Sequence, residues 1–338
     1  MWKRSLIVVS MLLAACSSSD DSSSGSAGSS GSAGASGSAG SAGSSGAAGS
    51  GGTAGAATSF QCPAGLTIAS GENAKVSVGD YDRTFFVDFP TNSSKAPAVI
   101  FQWHGFGDTA TNFRTALGLE PDADADFPFI RVTPDDVGLI PPDGLDWAMF
   151  AQDTTDVVNP DLQLFSALAG CLIQDHGADP DRIYSVGFSA GAIQTNFIHS
   201  KFASDVAASV AYSGAWFNDK PETANVHPLN FKITYDWPAL DPSVPGTVLL
   251  THGGSNDYYS VSGTKVIDFE LSDQLALPFL ATANWTVVDC AHNGGHTPDP
   301  AVGPNVVLSF LKAHVRGQTS PWKGGSLPAD MPSTCTLY

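Results

Sequence analysis

The segment that most constrains this chain is Gly187-Phe188-Ser189-Ala190-Gly191, because of what stands on either side of it. Residues 183–186 read as a strand, and residues 190–200 as a helix. A serine in Gly-x-Ser-x-Gly between a strand and a helix sits on a sharp turn with strained dihedrals. Small residues on both sides let the strand and the helix pack closely. The helix N-terminus then points free N–H groups at whatever the hydroxyl attacks. A glycine-rich turn with a capping serine is the plain alternative. The flanking strand and helix favour a nucleophile.

The rest of the chain repeats this alternation. Residues 75–78 and 83–89 read as strands, the second β-branched and aromatic and ending at Pro90. Residues 98–103 and 129–133 are mainly apolar runs of strand length, which suit strands buried on both faces. In 159–173, Leu162, Phe165, Leu168, Ala169 and Leu172 recur at helical spacing. Asp179-Pro180-Asp181-Arg182 is a turn. Residues 207–212, 247–251 and 285–289 read as strands, and 271–282 and 306–314 as helices. Strands alternating with helices predict an α/β fold with a mostly parallel central sheet covered on both faces. Ligands of such sheets bind beyond the carboxyl ends of the strands.

A serine hydroxyl needs a base, and the base needs an orienting carboxylate. On an elbow of this kind the order along the chain is serine, acid, histidine. The later histidines are His199, His227, His252, His292, His296 and His314. His296 follows the strand at 285–289 in a glycine-rich loop, where a base would hang over the strand ends. His292 is its rival. Asp257 lies in the loop that leaves the strand at 247–251 and precedes His296, which suits the acid. Asp219, Asp236, Asp241 and Asp268 follow no clean apolar strand so directly. Two N–H donors must meet the developing oxyanion. One is expected from Ala190. The other is expected from the loop His104-Gly105-Phe106-Gly107-Asp108, at Phe106 or alternatively Gly105, with His104 bracing the loop.

Aromatic residues gather near these positions: Trp103, Phe106, Trp147, Trp216, Phe217, Tyr258 and Tyr259. Such side chains stack an aryl acid or line a polymer groove, or else simply fill the core. His104, Trp147, Trp216 and Tyr258 are the candidate substrate contacts. Residues 218–245 carry Pro221, Pro228, Pro238, Pro242 and Pro245 and are a candidate wall for the substrate.

The N-terminus reads as an address. Lys3 and Arg4 precede an apolar run over residues 6–13, then Leu13-Ala14-Ala15-Cys16-Ser17. A charged start, a short apolar run and small residues before a cut make an export signal. The run is too short to span a bilayer. Residues 17–59 are almost wholly Ser, Gly and Ala, with no large apolar residue, and so can form no core. Such chains behave as flexible coils. The expected organisation is a signal at 1–15, a linker at 16–59 and one catalytic domain at 60–338.

Acidic residues outnumber basic ones 33 to 15, a formal charge of −18, which excludes nucleic acid as a partner. With Cys16 set aside, Cys62, Cys171, Cys290 and Cys335 form an even set suited to two disulfides in an oxidising compartment. Three connectivities are open. No CxxC pair is present, and no metal or cofactor is expected.

Together, Trp103-His104-Gly105, the serine pentad, His252-Gly253 with Asp257, and Cys290 before Gly294-Gly295-His296 resemble the polyhydroxybutyrate-depolymerase and feruloyl-esterase group of α/β-hydrolases. The resemblance covers roughly residues 60–314. It implies Ser189 as nucleophile, Asp257 as acid and His296 as base, with a compact domain lacking a large lid. Ala192 departs from the second glycine that such proteins often carry. Residues 13–17 resemble the bacterial lipoprotein signal, which implies lipidation of Cys16 and an outer-membrane or extracellular location. The expected activity is hydrolysis of carboxylic esters, of the polyester or the plant-wall feruloyl or acetyl type, through an acyl-enzyme, by a monomer held to a membrane by its N-terminal lipid. A polymer- or carbohydrate-binding protein on an unused hydrolase scaffold, or a serine peptidase, are the other readings.

Overall fold

A computed structural model describes residues 58–91, 94–138, 146–149, 159–218 and 237–338. The signal, Cys16 and nearly all of the linker lie outside these residues. So do Asp219, His227, Asp236, Pro221 and Pro228.

The core is a nine-stranded sheet. Its strands are β1 (Gly71–Val78), β2 (Tyr81–Asp88), β3 (Ala98–Trp103), β4 (Phe129–Pro134), β5 (Ile183–Phe188), β6 (Ala208–Tyr212), β7 (Thr247–His252), β10 (Thr286–Ala291) and β11 (Cys335–Leu337). They lie in the order β1-β2-β4-β3-β5-β6-β7-β10-β11. From β4 to β10 every neighbouring pair is parallel. β1, β2 and β11 add antiparallel edges. A separate hairpin, β8 (Tyr258–Val261) with β9 (Thr264–Asp268), projects after β7.

The helices are α1 (Ala110–Phe113), α2 (Pro160–His176), α3 (Ala190–Lys201), α4 (Phe269–Thr282) and α5 (Pro304–Ala313). Continuous apolar strands need cover on both faces, because successive side chains alternate. In β3, Val99, Phe101 and Trp103 join the layer under α2, α3 and α4, while Ala98 and Ile100 join the layer under α5. β7 divides likewise, with Val248 and Leu250 on one side and Leu249 on the other. Asn159 caps α2 by accepting the Asp161 and Leu162 N–H groups, Pro160 opens it, and Gly177 closes it in a left-handed conformation.

A buried ion pair pins α2 to the antiparallel edge. Arg83 on β2 lies 2.8 Å from Asp161, and neither side chain reaches solvent. Two disulfides complete the fold. Cys62–Cys171 ties the segment entering the domain to α2, and Cys290–Cys335 joins β10 to β11, where the two cysteines are register partners. Ser59, placed in the linker by its composition, already bonds Asp205, and Phe60 packs against Phe165.

Candidate active site

Ser189 follows β5 directly and caps α3. Its φ is 57°, a left-handed value that costs a non-glycine residue about 1–3 kcal/mol. The surroundings hold it there. Its N–H donates to the Tyr212 carbonyl at 2.9 Å, and α3 begins immediately after it. The pentad glycines permit the close approach. A Cβ on Gly187 would lie 2.1 Å from the Gly191 oxygen, and one on Gly191 would lie 2.0 Å from the Trp103 oxygen.

The loops after β7 and β10 bring two more side chains to this turn. His296 Nε2 lies 2.8 Å from Ser189 Oγ, and its Nδ1 lies 2.7 Å from Asp257 Oδ1. Asp257 is fully buried. Its second oxygen accepts the Ser213 hydroxyl at 2.8 Å and the Gly253 N–H at 2.7 Å. The imidazole is stacked on Phe269 at 4.5 Å between ring centres, and Phe188 lies at 5.0 Å on a tilted plane. Both carboxylate oxygens are thus occupied by donors, and the ring has little freedom to turn.

The rival histidine does not reach the serine. His292 Nδ1 accepts the Gly294 N–H within the same loop. Asp241 accepts from Ser243, and Asp268 caps α4 and pairs with Lys265. His252 faces Asp289 at 3.3 Å, and its pKa is raised: burial opposes the charge, but the Asp289 carboxylate outweighs it.

The two expected oxyanion donors are unengaged. Neither the Phe106 nor the Ala190 backbone N–H has an acceptor among the described residues. Gly105 stands against the nucleophile: a Cβ there would lie 3.4 Å from Ser189 Cβ.

The aromatic residues separate into two groups. Phe106 and Tyr258 are 43% and 38% exposed, and Tyr259 is half-buried with its ring 6.0 Å from that of Phe106. Phe106 and Tyr259 thus form an open edge next to the loop after β3, whereas Tyr258, on the opposite face of β8, lies under the Lys265 ammonium. Trp147 and Trp216 do not belong to that edge. Both are buried, so neither offers surface to a ligand. Trp147 Nε1 donates to the His104 carbonyl at 2.9 Å, and Trp216 packs edge-on against Trp285. His104 is also fully buried and is no substrate contact. Trp103 is core, its indole donating to Ser185. Sequence reasoning missed Ser213 and Phe269. Ser213 follows β6 with a φ of 54°, and nothing in its neighbours marks it as the partner of a carboxylate 44 residues later.

The parallel sheet, the strained strand–turn–helix serine and the loops beyond the strand ends define an α/β-hydrolase fold. No family model matches the chain. It is 27% identical over 131 residues to acetylxylan esterase A of Emericella nidulans, covering 38% of this chain and 41% of that protein. It is 26% identical over 137 residues to feruloyl esterase B of Talaromyces stipitatus, covering 39% and 36%. The matches thus span well under half the length of these curated relatives. The solved structure of native pOPH aligns with a TM-score of 0.64 at 19% identity, over 82% of this chain and 96% of that one, a likeness of fold.

Proposed function

We propose that this chain is a serine hydrolase of carboxylic esters. The observation that carries the reading is the unbroken hydrogen-bonded line Ser189–His296–Asp257 beside two unengaged backbone N–H groups. Ser189 Oγ attacks the ester carbonyl carbon while His296 Nε2 takes its proton. The oxyanion that forms is met by the amides of Phe106 and Ala190. The C–O bond breaks, and His296 returns the proton to the leaving alcohol. A water then repeats the sequence on the acyl-enzyme, releasing the acid and freeing Ser189. Asp257 keeps the imidazole in the required tautomer and balances its charge.

The names of the two relatives, an acetylxylan esterase and a feruloyl esterase, support ester substrates of the plant-wall kind. The open edge of Phe106 and Tyr259 suits an aryl acyl group or a polyester chain. Export is supported by the two disulfides, which persist in oxidising compartments. In this reading Cys16 carries the lipid and the Ser/Gly/Ala tract holds the catalytic domain away from an outer membrane.

The test is Ser189→Ala assayed on short p-nitrophenyl esters, with fluorophosphonate labelling of the parent. Loss of turnover in the variant and labelling of the parent at Ser189 are expected. Undiminished turnover in Ser189→Ala would sink the assignment. An unlabelled parent that still adsorbs polysaccharide or polyester would favour a binding protein.

A further inference from the structure

The residue that leads into the oxyanion loop is unusual in its surroundings. The His104 ring is fully buried, 4.6 Å from the Trp147 ring. Its Nδ1 lies 3.0 Å from the carbonyl oxygen of Gly105. A carbonyl only accepts, so Nδ1 must carry a proton. Its Nε2 lies 3.5 Å from Asp135 Oδ1 and 3.6 Å from Asp136 Oδ2. Nε2 makes no hydrogen bond among the described residues, and a bare nitrogen this close to two carboxylates would meet only negative charge. Both are held in place by backbone donors, Asp135 by the Ala110 N–H and Asp136 by that of Gly138. Asp146, which accepts the Gly107 N–H, adds a third acid whose charge reaches His104. Arg83 bonds the Asp135 carbonyl but has Asp161 as its counter-ion.

The Gly105 carbonyl is therefore fixed. It accepts His104 Nδ1–H and also the Asp108 N–H at 3.1 Å. In a trans peptide the C=O and the next N–H point to opposite sides. Fixing the Gly105 oxygen fixes the direction of the Phe106 N–H, which has no other acceptor among the described residues.

We propose that His104 is a positioning residue, held as an imidazolium between the Gly105 carbonyl and the Asp135–Asp136 pair, which aims the Phe106 amide at the oxyanion formed beside Ser189. Burial alone disfavours its charge. The Asp135 carboxylate, the Gly105 carbonyl and Asp136 outweigh it and hold the pKa above its ordinary value. The sign follows. The arrangement is complete while His104 is charged and is lost as the pH rises through that elevated pKa. The proposal rests on the hydrolase reading for its catalytic consequence, though not for the charge state.

Two measurements on the full chain test it. Long-range 1H–15N spectra of histidine-labelled protein at pH 7 are expected to show both His104 ring nitrogens protonated. The Phe106 amide shift is expected to titrate with the same midpoint. In steady-state kinetics, Asp135→Asn and Asp136→Asn should each move the alkaline limb of kcat to lower pH by about one unit or more, leaving KM within twofold. A loss of packing alone would lower kcat at every pH without moving the limb. A neutral His104 at pH 7 overturns the proposal. So does a limb unmoved in both variants, or one equivalent of divalent metal retained on the parent and lost in Asp136→Asn. Should the parent prove inactive on every ester, the linked His104 and Phe106 titrations still decide the positioning, and only the hydrolase reading falls.

Discussion

The Gly253 carbonyl accepts the Gly295 N–H at 3.0 Å, tying the loop that carries Asp257 to the loop that carries His296. The contact leaves no room for a side chain: a Cβ on Gly253 would lie 2.0 Å from the Gly295 oxygen. Gly253→Ala must therefore push the two loops apart. A displacement near 1 Å at a reacting group lowers rates about 100-fold. The expected result is a kcat reduced by roughly that factor with the fold retained by circular dichroism. A kcat within threefold of the parent contradicts it.

In the proposed mechanism Asp257 has a separate task. With one oxygen on His296 Nδ1 and the other on Ser213 and Gly253, it selects the tautomer whose Nε2 can accept the Ser189 proton. Asp257→Asn keeps the shape and reverses the tautomer, for which a loss of about 10⁴ in kcat is expected. Ser213→Ala removes one neutral donor and is expected to lower kcat only about fivefold, in line with about 1 kcal/mol for a hydrogen bond. Stopped-time assays of both variants on one ester check the ranking.

Arg83 and Asp161 are paired with no solvent on either side chain. Removing one partner of such a pair leaves a buried charge uncompensated, a loss of about 3–5 kcal/mol. Asp161→Ala also strips the acceptor from the Ala148 N–H. Urea unfolding is expected to show the full loss for Asp161→Ala and a smaller one for the double variant Arg83→Met with Asp161→Ala, since the orphaned charge is then gone.

Acid and base destabilise this fold through different groups. Burial pushes His199 down to about 3 and His314 to about 4, the latter against the pull of the Phe310 carbonyl. Unfolding lets both take up a proton near pH 6.5, so stability falls as the pH drops below that value. The slope approaches about 1.4 kcal/mol per pH unit for each histidine. Asp273 acts the other way. Burial, then the Asp289 and Asp257 charges, hold its carboxyl well above 3.8. It stays protonated in the fold and ionises on unfolding, so stability declines as the pH rises above that value. Asp273→Asn is expected to raise the melting temperature at pH 8 and to change it little at pH 4. An equal shift at both would refute the account.

The Cys290–Cys335 bond closes 45 residues between the base loop and the C-terminal strand. Chain-entropy arguments give about 2–4 kcal/mol for such a loop. Replacing both cysteines with serine is expected to lower stability by that amount. It should also lower kcat more than replacing the Cys62–Cys171 pair, which lies on the α2 side of the sheet. Calorimetry beside ester assays separates the two effects.

Much of this molecule is written locally. Residues 98–103 are apolar but for Gln102 and form β3 within the same bounds, because a strand covered on both faces is marked by its run of apolar residues. That Ser189, Asp257 and His296 each follow a strand was legible, and the structure brings the three side chains together. Where local pattern is broken, reading fails. β1 begins at Gly71 rather than near Lys75, since a bulge between Asn73 and Val76, with Lys75 at a φ of 54°, interrupts the alternation. The hairpin β8–β9 buries only Ile267, with Tyr259 and Val266 half-buried beside it, so its apolar stripe is short. Its one signal is the two-residue turn Ser262-Gly263, both at positive φ. The cysteine count determined that two disulfides were available, and only the pairing of β10 with β11 decided which residues join. Trp147, Trp216 and His104 lie near the site in the fold, yet whether each faces solvent depends on what packs over it. That is a property of contacts between segments far apart in the chain. So is the hold on Asp257, whose partner Ser213 is supplied by a different strand.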